Sequence, residues 1–191
     1  WLRSLLRQDP DIIMVWEIRD KETIEIAIEA SLTWHLVLST IHTNSAAETL
    51  TRVIQMGIQP FLIPASFNAV IAQRLIRRLC PHCKKEIWVQ NLDKNTLHNI
   101  QNALKLTKKS ELTQRVSPEI LKSPKFYEPV GCEHCDHTGY KWRVWLYEVL
   151  EMSDGVKEMV LNGQSAFNIN KQAILDGMIS LEQDGIMKAL N

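Results

Sequence analysis

Two C-x-x-C pairs, Cys80 with Cys83 and Cys132 with Cys135, are the first sign of chemistry in this chain of 191 residues. Each such turn presents two thiolates to one tetrahedral ion, and two turns complete a closed structural site of the kind zinc occupies. Iron, redox use and inert thiols are the other readings of the same spacing. The 48 residues between the pairs are more than a zinc ribbon needs. His82, His134 and His137 lie near enough to substitute as ligands, although four thiolates make them unnecessary. A second group follows the apolar run Ile12–Val15: Glu17, Arg19 and Asp20. A carboxylate just past the carboxyl end of a buried parallel strand lies where open α/β sheets bind ligands. The plainer reading is a strand-end charge cluster and a helix cap. His35 and His42 flank another apolar run. On a regular strand their spacing of seven puts them on opposite faces, with different jobs, unless the chain turns after Ile41.

The elements around these residues read as an α/β layer structure. Residues 1–20 predict a short helix, a turn at 9–11 and a strand over 12–15 buried on both faces of a parallel sheet. Asp20 is placed to cap a helix running to about Thr33. A second buried strand is expected over 36–41. Ser45 can cap the next helix, and Gly57 stands where that helix should stop. From 60 to 79 the apolar spacing is helical again, ending in Arg74, Arg77 and Arg78. Residues 84–128 are polar and lysine-rich and read as an insertion, helical around 94–107. A strand over 143–151 follows, then three short helices punctuated by Gly163, Gly177 and Gly185.

Composition narrows the function classes. Apolar and charged fractions of 45% and 23% are those of a soluble globular protein. With 22 basic and 22 acidic residues the net charge is zero, which argues against a broad nucleic-acid surface. No apolar run reaches the roughly 20 residues that cross a bilayer. The chain starts at Trp1 in helix-like sequence, so a fragment of a longer protein is expected. No G-x-x-x-x-G-K-[ST] phosphate loop occurs in it, and without that loop's N–H groups and lysine a triphosphate has no strong holder here.

Four ordered segments carry a resemblance. LRQDPDIIMVWEIRD (6–20), LTWHLVLSTIHTNSA (32–46), AQRLIRRLCPHC (72–83) and GCEHCDHTGYKWRVWLYEVL (131–150) resemble the motifs of the type II secretion / type IV pilus-assembly ATPases. The resemblance implies the C-terminal portion of a RecA-like P-loop NTPase domain, with a zinc-binding insertion and a helical C-terminal tail. It divides the chain at 1–79 (Walker-B segment and histidine box), 80–140 (tetracysteine insertion) and 141–191 (return strand and helices). It implies that Glu17 is the Walker-B carboxylate acting on ATP with Mg²⁺, that His42 contacts the γ-phosphate or attacking water, and that Arg19, Asp20 and His35 support the nucleotide site. It also implies zinc on Cys80, Cys83, Cys132 and Cys135, leaving no cysteine for a disulfide. The motor implied is a cytoplasmic homo-hexamer, peripheral to the inner membrane on a platform protein, with no nucleic-acid partner. The phosphate loop should lie upstream, and the fragment alone should be inactive. The rival reading is a non-catalytic zinc-binding interaction module.

Trp16, Trp34, Trp142 and Trp145 stand where the family pattern has glycine. Ordinary glycine usage of about 7% gives roughly 13 glycines in a chain of this length; the 7 glycines and 6 tryptophans present together reach that number. UGA codons read here as Trp, but as Gly in the source organism, would produce this pattern, at Trp1 and Trp88 as well. A diverged or inactivated homologue is the alternative. Trp16 is expected to crowd the strand end, and Trp34 to occupy a turn needing positive φ.

Overall fold

The structure, a computed structural model, describes Gln8 and residues 10–191. The helix expected before residue 9, and the motif residues Leu6 and Arg7, lie outside them. The described residues form two compact units, one of residues up to 72 with 149–178, the other of 73–148 with 179–191.

In the first unit, β1 (Ile12–Val15) and β2 (Leu36–Ser39) pair in parallel, with Ile12 opposite Leu36 and Val15 opposite Ser39. Between them runs α1 (Lys21–Leu32), opened by Asp20, whose carboxylate accepts from Thr23 N at 2.8 Å. Ile13 and Val15 pack on Ile26 and Ala30 of this helix. The opposite face of the strands is open: Ile12 is 60% and Met14 68% exposed, and Leu36 and Leu38 are also exposed. Burial on both faces, expected from the apolar runs, is therefore corrected to burial on one, because α1 covers only the face it crosses. The second strand also stops at Ser39, two residues short of the run. The second helix, α2 (Ala46–Gln55), begins at the predicted cap Ser45, and Gly57 follows its end at φ +92°. Leu50 and Val53 of α2, with Ile24 and Ile63, enter a core shared with Leu150, Val156, Val160 and Ile169.

The helix expected over 60–79 is largely a strand. Only a short helical stretch, including α3 (Ile63–Ser66), precedes the eleven-residue β3 (Ala69–Leu79). Its apolar positions fit a helical period, but β6 (Tyr140–Glu151) supplies ladder partners along its length, and pairing overrides the period. Hydrogen bonds from Met152 N to Asn68 O and from Cys80 N to Gly139 O close the two ends of this antiparallel ribbon.

In the second unit, β4 (Lys85–Ile87) pairs antiparallel with β5 (Phe126–Glu128), and α4 (Lys94–Leu106), α5 (Lys109–Arg115) and α6 (Pro118–Lys122) lie between them in sequence. Leu112 of α5, Ile120 of α6 and Val116 between them pack with Met187 and Leu190 of α9 (Leu181–Leu190). Buried polar groups fasten the same helix: Gln183 donates to Thr107 Oγ1, and Asp184 accepts from Tyr147 N and Lys188 Nζ. Gly185, read as a helix break, lies inside α9; a Cβ there would stand 3.3 Å from Leu146 Cδ1, so glycine permits close packing. The other expected C-terminal helices are α7 (Asp154–Leu161) and α8 (Ala166–Asp176), both in the first unit. Among the described residues no helix is long and apolar enough to cross a membrane.

Two of the four tryptophans sit where glycine is the natural residue. Trp34 has φ +73° and Trp142 φ +66°. Trp16 has no positive φ and is 83% exposed, so the crowding expected of it does not occur; Trp145 is likewise exposed and free of strain. A non-glycine residue in the left-handed region costs about 1–2 kcal/mol, offset in part by the greater chain entropy of an unfolded glycine. Trp34→Gly and Trp142→Gly should each raise stability by about 1 kcal/mol, read from chemical denaturation of the full-length protein. Trp145→Gly should raise nothing, since glycine weakens a strand. A neutral result at both 34 and 142 would contradict the assignment of strain.

Candidate functional site

Parallel pairing sends the ends of β1 and β2 to one edge. Past β1 the chain reaches Glu17 through Trp16; past β2 it reaches His42 through Thr40 and Ile41. There His42 Nε2 lies 3.0 Å from Glu17 Oε1. Arg19 grips the other oxygen, with Nε 2.6 Å and Nη2 2.5 Å from Glu17 Oε2. The Glu17 side chain is 10% exposed, whereas that of His42 is 91% exposed. The hydrogen bond from Arg19 holds the Glu17 carboxyl below its ordinary range against the opposing effect of burial, and the charges of Arg19 and His42 act in the same direction as that bond. The carboxylate is thus kept ionised, fixed at both oxygens, beside an accessible imidazole.

The strand-face argument for the two histidines does not apply, because β2 ends at Ser39, before His42. Thr43, next to His42, has its Oγ1 3.2 Å from Ser45 O and 2.8 Å from Thr49 Oγ1, which anchors the loop to α2. His35 lies at the other end of β2, its Nδ1 3.0 Å from Ala30 O and 3.1 Å from Thr33 Oγ1. Asp20 is engaged as the cap of α1, and the main-chain bond from Thr23 lowers its pKa. The structure therefore brings Glu17, Arg19 and His42 together, and occupies Asp20 and His35 elsewhere.

The four cysteines meet, and none forms a disulfide. Strand pairing closes the long gap from both sides: β3 with β6 leads into the turns, and β4 with β5 leads out of them. The Sγ separations are 3.9 Å for Cys80–Cys132, 3.8 Å for Cys83–Cys135 and 3.8 Å for Cys132–Cys135. Four sulfurs around one zinc at about 2.3 Å stand about 3.8 Å apart along each edge of a tetrahedron. N–H groups of Gly131, Cys132 and Gly139 point at the sulfurs from 3.2 to 3.3 Å, which favours thiolates. Burial pushes the Cys132 thiol up to about 12, with help from hydrogen bonding to Cys83. Burial is the largest effect on Cys135 and opposes its ionisation, but hydrogen bonds from Cys132 N and Gly139 N, together with those from the Cys132 and Cys83 thiols, outweigh it and bring this thiol down to about 6. Glycine is required at 139, where a Cβ would lie 2.6 Å from Pro129 Cβ. The His82 and His134 rings stack on each other, 4.3 Å between centroids.

The family model for Type II/IV secretion system protein matches residues 1–191. The type IV pilus assembly ATPase PilB of Myxococcus xanthus is 48% identical over 190 residues, which are 100% of this chain and 31% of that protein. Type II secretion system protein E of Aeromonas hydrophila is 41% identical over 189 residues, 99% of this chain and 34% of that protein. The chain thus spans about a third of the length of these curated relatives. Among solved structures, the Legionella pneumophila ATPase DotB superposes with a TM-score of 0.59 at 22% identity, over 98% of this chain and 37% of that one, which shows a shared α/β fold. The resemblance read from the four motifs is borne out, the match extends through residues 84–128 as well, and the chain belongs to the Type II/IV secretion system protein family.

Proposed function

We propose that this chain is the C-terminal part of the ATP-hydrolysing motor of a type IV pilus-assembly or type II secretion machine, within a RecA-like P-loop NTPase domain. The observation that carries this reading is the Glu17–Arg19–His42 cluster at the carboxyl edge of a parallel strand pair, in a family whose relatives are named as pilus-assembly ATPases. Bound Mg²⁺-ATP would supply the γ-phosphoryl group to water, with ADP as the leaving group. Glu17 orients the attacking water and receives its proton, the usual work of an acidic group at this place in phosphoryl transfer. Since both of its oxygens are engaged, the water shares Oε1 with His42 or takes the place of Arg19. The imidazole of His42, held by Glu17 at Nε2 but largely exposed, offers its solvent side to a phosphate oxygen. The phosphate loop comes from a part of the protein outside these 191 residues, and the open apolar face of β1 and β2 suits a domain larger than this one.

Zinc on Cys80, Cys83, Cys132 and Cys135 has a structural role, clipping the insertion to the strands that bear it. By the family resemblance, in which retraction motors usually lack this cysteine motif, the site favours an assembly motor. The motor is a cytoplasmic homo-hexamer that reaches the inner membrane through a platform protein. Full-length protein should hydrolyse ATP in the presence of Mg²⁺, and residues 1–191 alone should not. A full-length protein without turnover would overturn the ATPase reading. Turnover by the isolated piece would overturn the placement of the phosphate loop.

A further inference from the structure

Thr40 bonds to the chain on both sides of Glu17. The strand register ends at Val15 opposite Ser39. Beyond it, Ile18 N donates to Thr40 O at 2.8 Å, and Thr40 Oγ1 donates to Trp16 O at 2.6 Å. One residue thus holds the main chain before and after the carboxylate, and it stands two positions from His42. The acceptor at 16 is a carbonyl, so the bond does not depend on which side chain that residue carries. Thr43 anchors the far side of the His42 loop to α2; the hydroxyl of Thr40 joins the near side to the Glu17 segment.

We propose that Thr40 is a positioning residue of the candidate active site, its hydroxyl holding Glu17 Oε1 at hydrogen-bonding distance from His42 Nε2. The inference rests on the reading of Glu17 and His42 as the groups that serve ATP hydrolysis. Of the two bonds that Thr40 makes to this segment, loss of the hydroxyl leaves the main-chain bond from Ile18. The segment can then swing about that bond, carrying Glu17 away from His42. Small displacements at a reacting centre cost far more in rate than in binding; a misplacement of about 1 Å can cost about 10²-fold. Thr40 is exposed, so replacing it leaves no hole in the core.

In the full-length protein, Thr40→Val removes the hydroxyl at nearly constant volume, and Thr40→Ser keeps it. The valine variant should lose roughly 10- to 100-fold in kcat, with KM for ATP within about twofold of wild type. The serine variant should recover most of that loss. Because Thr40 acts through Glu17, adding Thr40→Val to Glu17→Gln should cost nothing further. Wild-type kcat in the valine variant, an equal loss in the serine variant, or losses that multiply in the double variant would each overturn the positioning role. Wild-type turnover in Glu17→Gln alone would instead overturn the reading beneath it, so the two failures are distinct.

Discussion

In the full-length protein Glu17→Gln should still bind ATP and lose about 10²- to 10⁴-fold in turnover, the range for removing a general base. The glutamine side chain matches the volume of glutamate and retains one acceptor oxygen, so the segment after β1 keeps its shape. It lacks the second acceptor and the charge that engage Arg19 and His42. Turnover is measured by phosphate release at saturating ATP, and binding by nucleotide titration. Wild-type phosphate release from the glutamine variant would remove Glu17 from the mechanism. The pH profile gives an independent sign. The hydrogen bond from Arg19 is the largest cause lowering the Glu17 pKa. The carboxylate therefore persists as pH falls past the ordinary glutamate range, and activity is lost only when pH drops through the depressed value. Arg19→Ala removes that cause, so the acid limb of kcat should move to higher pH. An unmoved limb would mean that the titrating group is not Glu17.

Local chemistry made part of this arrangement legible. Asp20 and Ser45 announce their helices because a carboxylate or hydroxyl before an apolar-periodic run satisfies a free N–H, and both caps form. The parallel pair followed from two apolar runs separated by a helix. What could not be read depended on partners distant in sequence. The run after Asn68 has a helical period and becomes a strand only because β6 lies beside it. One-sided burial of Ile13 and Val15 reflects what packs on them, while Ile12 and Met14 are just as apolar. Gly185 looked like a break because its close neighbour, Leu146, is far away in the chain. In the candidate site, the motifs point to Glu17, Arg19 and His42, and the structure brings these three side chains together. Thr40 carries no such signal: its hydroxyl bonds to the carbonyl of residue 16, 24 positions away, and no motif marks a threonine beside a strand end for that partner. Trp34 was the reverse case, since a turn after a helix announces positive φ whatever residue occupies it.

The full-length protein, purified without added metal, should carry one zinc per chain, and removing it should loosen the second unit before the first. The sulfur separations of 3.8 to 3.9 Å match the edges of a zinc–thiolate tetrahedron, so the ion needs little rearrangement to enter. Without it, four thiols share one small space, and ionising them together is opposed by burial and by their mutual repulsion. The turns join β3 to β4 and β5 to β6, so their loss frees both ends of the insertion. The core around Leu50, Ile63, Leu150 and Val160 contains none of these cysteines and should persist. Chelation, or Cys132→Ser, should therefore expose bonds within 84–131 to limited proteolysis while the two flanking pieces, which hold the first core between them, survive. Elemental analysis separates zinc from iron in the same preparation. A metal content near zero, with four thiols titrating freely in the native protein, would remove the site. Equal protease sensitivity of both units after chelation would remove its local role, because a clip confined to the insertion cannot loosen a core that it does not touch.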